Sequence, residues 1–360
     1  LYLIQIRDNN LFSKTINKLI KYKLNKNIHG ARIVNKEKGF IIDSTRQNYT
    51  SFSLRPKKAI DIKPKKEELN INSDTAIIIQ GSLYNLENFV IETVNLYKKI
   101  FSSSDIYLSI WEDELKENLK EKLKDKVNFI INKKPYEYKY NTDLQIINTG
   151  NAIKKIKDSG NKYCLKTRTD CRIYKDNSLS FLKFLLKSFP SRKKTLVNER
   201  IISCSIDTRK YRVYGLSDIL LFGNIKDLDT YFVQENFEFS LEKYNFGKHP
   251  TIIKDTAVIN EIFLCARYLS NINEKLDWDL KHWWKSLSNY FCIIDPHFID
   301  FFWYKYHWQF EQRFQKNYTK EFELSLGFTD WLQLYFDPKK NYNENFKERW
   351  KIENNLIVSI

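Results

Sequence analysis

The 360-residue chain contains no methionine, nine glycines, seven prolines, five cysteines and five histidines. The cysteines (Cys164, Cys171, Cys204, Cys265 and Cys292) are scattered, odd in number and never in CxxC spacing. That excludes a metal knuckle and reads as the reduced pattern of an intracellular protein. The histidines (His29, His249, His282, His297 and His307) form no HExxH and no paired metal spacing. No GxGxxG and no GxxxxGK(S/T) occurs, so neither a dinucleotide fingerprint nor a P-loop is supported. A GxSxG nucleophile elbow is also missing. No apolar run reaches spanning length and the first residues do not read as a secretory leader. The expected location is cytoplasmic, with any membrane contact peripheral and at the cytoplasmic face.

What is present is the composition of a folded protein: 42% hydrophobic and 15% aromatic residues. Lys and Arg number 60 against 44 acids, for a net charge of +16. Such a balance favours anionic partners: nucleic acid, a membrane surface or phosphate-bearing substrates. The Lys, Asn and Ile bias is also that of AT-rich coding, which raises Lys without any function. The basic residues are dispersed, and no RRM, zinc or helix-turn-helix signature accompanies them, so no nucleic-acid partner is expected.

Order begins near residue 75. "TAIIIQGSLYN" reads as a strand buried on both faces, ending in a turn at Gly81. In "ENFVIETVNLYKKI", Phe89, Val90, Val94, Tyr97 and Ile100 share one helical face. A second strand, "DIYLSIWED", precedes "DELKENLKEKLKDK", where Leu115, Leu119 and Leu123 recur every fourth residue. "VNFIINKK" gives a third strand, "TDLQIINTGNAIKKIK" a third helix and "KYCLKTRTD" a fourth strand. This alternation predicts a parallel α/β sheet, which binds ligands at the carboxyl ends of its strands. "RIISCSI" and "SDILLFG" add two strands, "DTAVINEIFLCARYL" a helix, and an aromatic-rich stretch closes the chain. Residues 1–74 are polar and basic, with "GFIIDST" as a short strand and "RPKKAIDIKPKKEEL" as an exposed linker.

The chemistry-bearing residues cluster at predicted strand ends. In "YCLKTRTDCRIY", Lys166, Arg168, Asp170 and Arg172 alternate, so an extended chain would point them one way. Asp170 there could hold Mg²⁺ or Mn²⁺ beside a phosphate, with the three bases as donors; the competing reading is a structural ion pair. Gln80, Gly81 and Ser82 suit close backbone approach to a base or ribose. Ser109 and Trp111 end the second strand, and Trp111 is either a stacking platform or core. Asp218, just before an apolar strand, and Glu261, inside an apolar helix, are the two candidates for a general base.

"TAIIIQGSLY", "DIYLSIWEDE", "YCLKTRTDCRIY" and "GLSDILLFG", in that order, resemble the WavE family of lipopolysaccharide-synthesis proteins. The similarity spans roughly residues 75 to 305, includes "NEIFL" and a late aromatic pattern from Trp283 to Tyr306, and leaves residues 1–75 uncovered. It implies a GT-A-like (Rossmann-like) mostly parallel central sheet flanked by helices, with an aromatic-rich helical C-terminal part. The implied domains are an N-terminal extension at 1–74, a catalytic domain at 75–310 and a C-terminal extension at 311–360. The implied activity is transfer of a sugar from a UDP-, GDP- or CMP-linked donor to a glycan or lipid-linked acceptor in surface polysaccharide synthesis. "IQGS", Asp170, and Asp218 or Glu261 then correspond to nucleotide site, metal site and base. Two departures stand out. Leu144-Gln145 replaces the family's Arg-Gln pair, and the acidic site reads Arg-Thr-Asp-Cys-Arg rather than Asp-x-Asp, which leaves a metal-independent route open. A sugar-phosphate or nucleotidyl transferase on the same kind of sheet, and a basic nucleic-acid-binding protein, are the alternatives.

Overall fold

The computed structural model describes residues 28–29, 55–63, 72–136, 141–193, 195–233, 260–304 and 325–337. The predicted strand "GFIIDST", most of the 1–74 extension and most of 311–360 lie outside these residues. β1 (Ile28–His29) and β2 (Arg55–Pro56) pair antiparallel. The central sheet is built from β3 (Thr75–Gln80), β4 (Asp105–Trp111), β5 (Asn128–Asn132), β6 (Tyr163–Arg168), β8 (Ile201–Cys204), β9 (Leu221–Asn224) and β10 (Phe291–Ile294). β7 (Cys171–Ile173) and β11 (Phe301–Trp303) form a separate antiparallel ribbon.

The sheet has seven strands in the order β10-β8-β9-β6-β3-β4-β5. β6, β3, β4 and β5 run parallel to their neighbours, as do β10 and β8; β9 runs against both β6 and β8. The expected α/β class, a mostly parallel sheet flanked by helices, is thus observed. β3 reads Thr-Ala-Ile-Ile-Ile-Gln with every residue buried, as a strand covered on both faces requires. Removing each isoleucine of this run from water contributes about 1.5–3 kcal/mol. The chain goes from β3 to β4 and β5 on one side, then crosses back to β6 on the other. The strand order therefore reverses between β3 and β6, and in open α/β sheets that reversal leaves a crevice at the carboxyl ends.

The helices follow the predicted apolar spacing. α1 (Glu87–Ile100) buries Phe89, Val90, Val94 and Tyr97. α2 (Glu117–Leu123) buries Leu119 and Leu123, while Glu112–Glu114 is a separate 3-10 turn, so the predicted second helix is split. α3 (Asn141–Lys157) lies over β3, β4 and β5. α4 (Ser178–Ser188), α5 (Ile225–Tyr231), α6 (Asn260–Asn271), α7 (Leu280–Tyr290) and α8 (Phe328–Phe336) complete the described set. α7 leads directly into β10, and Trp331 of α8 is fully buried, its Nε1 donating to the Phe291 carbonyl at 2.8 Å. No described helix is long and apolar enough to cross a membrane, and all five cysteines are buried thiols.

Two local expectations are corrected. Of the stretch read as an exposed linker, the described residues 55–63 are anchored to α1 through Ala59: it is buried, its N–H donates to Glu92 Oε2 at 2.7 Å, and Lys99 Nζ donates to its carbonyl at 2.8 Å, while Ile60 beside it is exposed. Its charged composition suggested solvent, but the backbone of a single alanine supplies both contacts with α1. The second correction concerns "TRTDCRIY". The chain does not stay extended through Arg172; it turns at Thr169 and Asp170 and returns as β7, opposite β11.

Candidate active site

The carboxyl ends of β3, β4 and β6 are tied to one another by short contacts. Gly81 follows β3 with φ +127°, a backbone conformation that L side chains rarely adopt. A Cβ at this position would also stand 3.0 Å from Thr169 Oγ1. Thr169 explains the close approach. Its N–H donates to the Gln80 carbonyl at 3.0 Å and its hydroxyl to the Ser82 carbonyl at 2.6 Å. Glu114, just past β4, accepts from Ser82 Oγ at 2.6 Å and from the Leu83 N–H at 2.8 Å. Ser82 itself is exposed, whereas Gln80 is buried.

Arg168 ends β6, in register with Gln80. Its Nε and Nη2 donate to the two oxygens of Asp170 at 2.9 and 3.1 Å. Trp303 of β11 donates from Nε1 to Asp170 Oδ2 at 2.8 Å, and the Arg168 guanidinium lies 5.6 Å from the Trp303 ring centre. Burial pushes the Asp170 carboxyl up, but the Arg168 charge and the hydrogen bonds from Arg168, Trp303 and Cys171 outweigh it, so the group is held below the usual carboxylate range.

A second cluster adjoins the first across β6. Lys166 is fully buried, donating to the Asp218 backbone carbonyl and, at 3.2 Å, to Gln145 Oε1. Gln145 Nε2 in turn donates to Asp218 Oδ2 at 2.6 Å. Burial pushes the Lys166 ammonium down to about 8, against the opposing pull of Asp218. Asp218 stands just before β9, which is antiparallel to β6, so its position falls at the carboxyl end of β6. Glu261 opens α6, half-buried; burial first and the Asp218 charge second push its carboxyl up to about 8. Asn260 beside it is hydrogen-bonded to Thr142 at the start of α3, which fixes this end of α6.

Arg172 and Ser109 point elsewhere. Arg172 is fully buried, with Nε on Thr93 Oγ1 (2.9 Å), Nη1 on the Lys57 carbonyl (3.0 Å) and Nη2 on the Phe89 carbonyl (2.8 Å). It braces α1 against β7, with its guanidinium 4.2 Å from the Phe89 ring centre. Ser109 is buried, donating to the Asn148 carbonyl at 2.7 Å and accepting from Asn132 Nδ2 at 2.9 Å. Trp111 is buried as well, with Lys134 Nζ 6.0 Å from its ring centre.

The structure thus gathers Gly81, Arg168, Asp170, Lys166, Asp218 and Glu261 around the carboxyl end of β6, and leaves Arg172 and Ser109 in packing roles. Gln145 and Trp303 contact these residues without having been assigned a role at the site. Gln145 was legible in principle: a polar amide in the buried stripe formed by Thr142, Ile146, Thr149 and Ile153 of one helix. Trp303 lay within the late aromatic pattern, which carried no sign that it would meet Asp170. As for a cation, every oxygen of Asp170 is already engaged, and the described residues contain no cluster of three His, Cys, Asp or Glu side chains that could hold a metal. The donor set does not fit a divalent ion as it stands.

No family model matches the chain, and no curated protein matches it. Among solved structures, one similar chain is a glycosyltransferase involved in the glycosylation of the major capsid of PBCV-1, at 10% identity and TM-score 0.28, covering 62% of this chain and 82% of that one. Another is a Desulfovibrio desulfuricans G20 protein assigned as a nucleotide-diphospho-sugar transferase, at 9% identity and TM-score 0.29, covering 56% of this chain and 97% of that one.

Proposed function

We propose that this protein is a glycosyltransferase of GT-A-like architecture that moves a sugar from a nucleoside-diphospho-sugar to a hydroxyl of a glycan or lipid-linked glycan. The observation that carries this reading is the pairing of two unlike clusters at one strand end. Gly81 and Arg168 offer a close backbone and a guanidinium, which suit a diphosphate. Asp218 and Glu261, beside them, offer carboxyl groups for an acceptor proton. Glycosyl transfer needs both. The acceptor oxygen bonds to the anomeric carbon, the bond from that carbon to the diphosphate oxygen breaks, its electron pair leaves on the diphosphate, and the hydroxyl proton passes to a carboxylate.

The resemblance of "IQGS", "LKTRTD" and "NEIFL" to the WavE family supports the same reading, and the acceptor we propose with it is one of surface polysaccharide or lipopolysaccharide synthesis. The net charge of +16 suits anionic donors and an anionic membrane face. A thermal-shift screen of nucleotides and nucleotide-sugars tests the reading. A ligand at a hundred times its dissociation constant adds about 2.7 kcal/mol of stability. The expected result is a clear rise with one family of nucleoside diphosphates or their sugars; no rise with any of them would overturn the assignment.

A further inference from the structure

Four donors converge on the two oxygens of Asp170. Oδ1 accepts from Arg168 Nε at 2.9 Å and from Cys171 Sγ at 3.5 Å. Oδ2 accepts from Arg168 Nη2 at 3.1 Å and from Trp303 Nε1 at 2.8 Å. An ionised carboxylate has about four lone-pair sites, so this one is fully subscribed. A divalent cation takes six or more oxygens, and seating one here would require Arg168 and Trp303 to let go in a site where the Asp170 side chain is only 6% exposed.

Arg168 is in the opposite condition. Its side chain is 28% exposed. A guanidinium has five N–H donors in a planar fork, and Asp170 takes one from Nε and one from Nη2. The outer edge, both hydrogens of Nη1 and the second of Nη2, has no acceptor among the described residues. Arg168 is in register with Gln80, which stands the residue beside Gly81, at the reversal of strand order.

Resting on the transferase reading above, we propose that the leaving diphosphate is neutralised without a divalent cation by the outer edge of Arg168, and that Asp170 and Trp303 are positioning residues that aim it. The Trp303 ring, 5.6 Å from the Arg168 carbon Cζ, limits the guanidinium from one side while its N–H locks Asp170. As the anomeric carbon–oxygen bond breaks, the charge that develops on the diphosphate oxygen meets N–H groups already held in place, which is electrostatic preorganisation without a metal. The brace closes only in the folded chain, because Trp303 arrives 133 residues after Asp170.

Calorimetric titration of the full chain with UDP, GDP and CDP, first in EDTA and then with Mn²⁺ or Mg²⁺, tests this directly. The expected result is tight binding of one diphosphate in EDTA, changed less than about twofold by either metal, with the corresponding nucleoside bound more weakly by about tenfold or more. Asp170→Asn and Trp303→Phe keep the local shapes and should each erode that preference for the diphosphate while leaving nucleoside affinity unchanged. Arg168→Gln should abolish the preference. A purely structural pair would alter unfolding temperature without changing the diphosphate-to-nucleoside ratio, and that outcome would overturn the positioning role. Binding that appears only with Mn²⁺ or Mg²⁺ would overturn the metal-free proposal and leave the transferase reading intact. Absence of binding for every nucleotide in both buffers would overturn both.

Discussion

Lys166 and Asp218 are joined through the main chain: the fully buried ammonium donates to the Asp218 carbonyl oxygen, while Gln145 bridges the same lysine to the Asp218 side chain. Lys166 is therefore not itself at the surface of the crevice; it fixes the residue that is the candidate base. A buried charge with no carboxylate hydrogen-bonded to it depends on each acceptor it has.

Gln145→Ala removes one acceptor from Lys166 and one donor from Asp218. The expected loss is about 1–3 kcal/mol, the cost of leaving buried polar groups without partners. The urea midpoint should fall with an unchanged slope. Because both side chains lie in one network, Gln145→Ala combined with Lys166→Met should deviate from additivity by about 0.5 kcal/mol or more. Additive effects would separate Gln145 from the lysine.

Asp218→Asn keeps an oxygen for Gln145 but removes the proton acceptor. Turnover should fall by about 10²-fold or more, with donor affinity nearly unchanged, if Asp218 is the base. Near-normal turnover in this variant would move the role to Glu261.

Glu261 makes a pH prediction with a definite sign. Its carboxyl is raised from 4.5 to about 8, by burial and then by Asp218. The folded state holds this proton more tightly than the unfolded chain, so the associated stability is complete below about 4.5 and is lost as pH climbs through about 8. Glu261→Gln should match the wild type near the lower limit and exceed it in unfolding temperature above the upper one. Lys166 works in a different window: its ammonium is lowered from 10.5 to about 8, so stability is gained as pH rises between those values. Parallel wild-type and Glu261→Gln curves from pH 5 to 8 would contradict the shift.

Gly81→Ala meets two obstacles at once, the φ of +127° and Thr169 Oγ1 at 3.0 Å. A cost of about 1–3 kcal/mol is expected from the backbone alone. Because the strain falls on the loop that would approach the diphosphate, nucleotide affinity should drop as well. Pairing it with Thr169→Ser, which keeps the hydroxyl, should not restore stability. Full recovery in the pair would assign the cost to the threonine methyl.

Arg172→Lys should act on stability alone. Its planar fork reaches Thr93 and two carbonyls from different segments, a geometry that an ammonium cannot reproduce. The unfolding free energy should fall by about 2–3 kcal/mol, the scale of lost charge-assisted hydrogen bonds. Nucleotide affinity of the folded variant should stay at the wild-type value; a selective loss of affinity would return Arg172 to the site.

Local sequence was enough for the framework. The buried run of β3, the helical spacing of α1 and the apolar start of β6 each follow from side-chain periodicity, and their alternation implies a parallel sheet with its ligand crevice at the carboxyl ends. Those patterns also brought out Gly81, Arg168, Asp170, Asp218 and Glu261, because polar residues that end an apolar strand or interrupt an apolar helix are visible in one dimension. Tertiary structure decided which way each side chain faces. A turn at Thr169 and Asp170 breaks the alternation and sends Arg172 into the packing of α1, while the Arg168 side chain stays partly exposed. It also decided the partners: Trp303 and Gln145 reach Asp170 and Asp218 across 133 and 73 residues. Periodicity reports only near neighbours along the chain, so contacts closed by the sheet order and the β7–β11 ribbon leave no local trace.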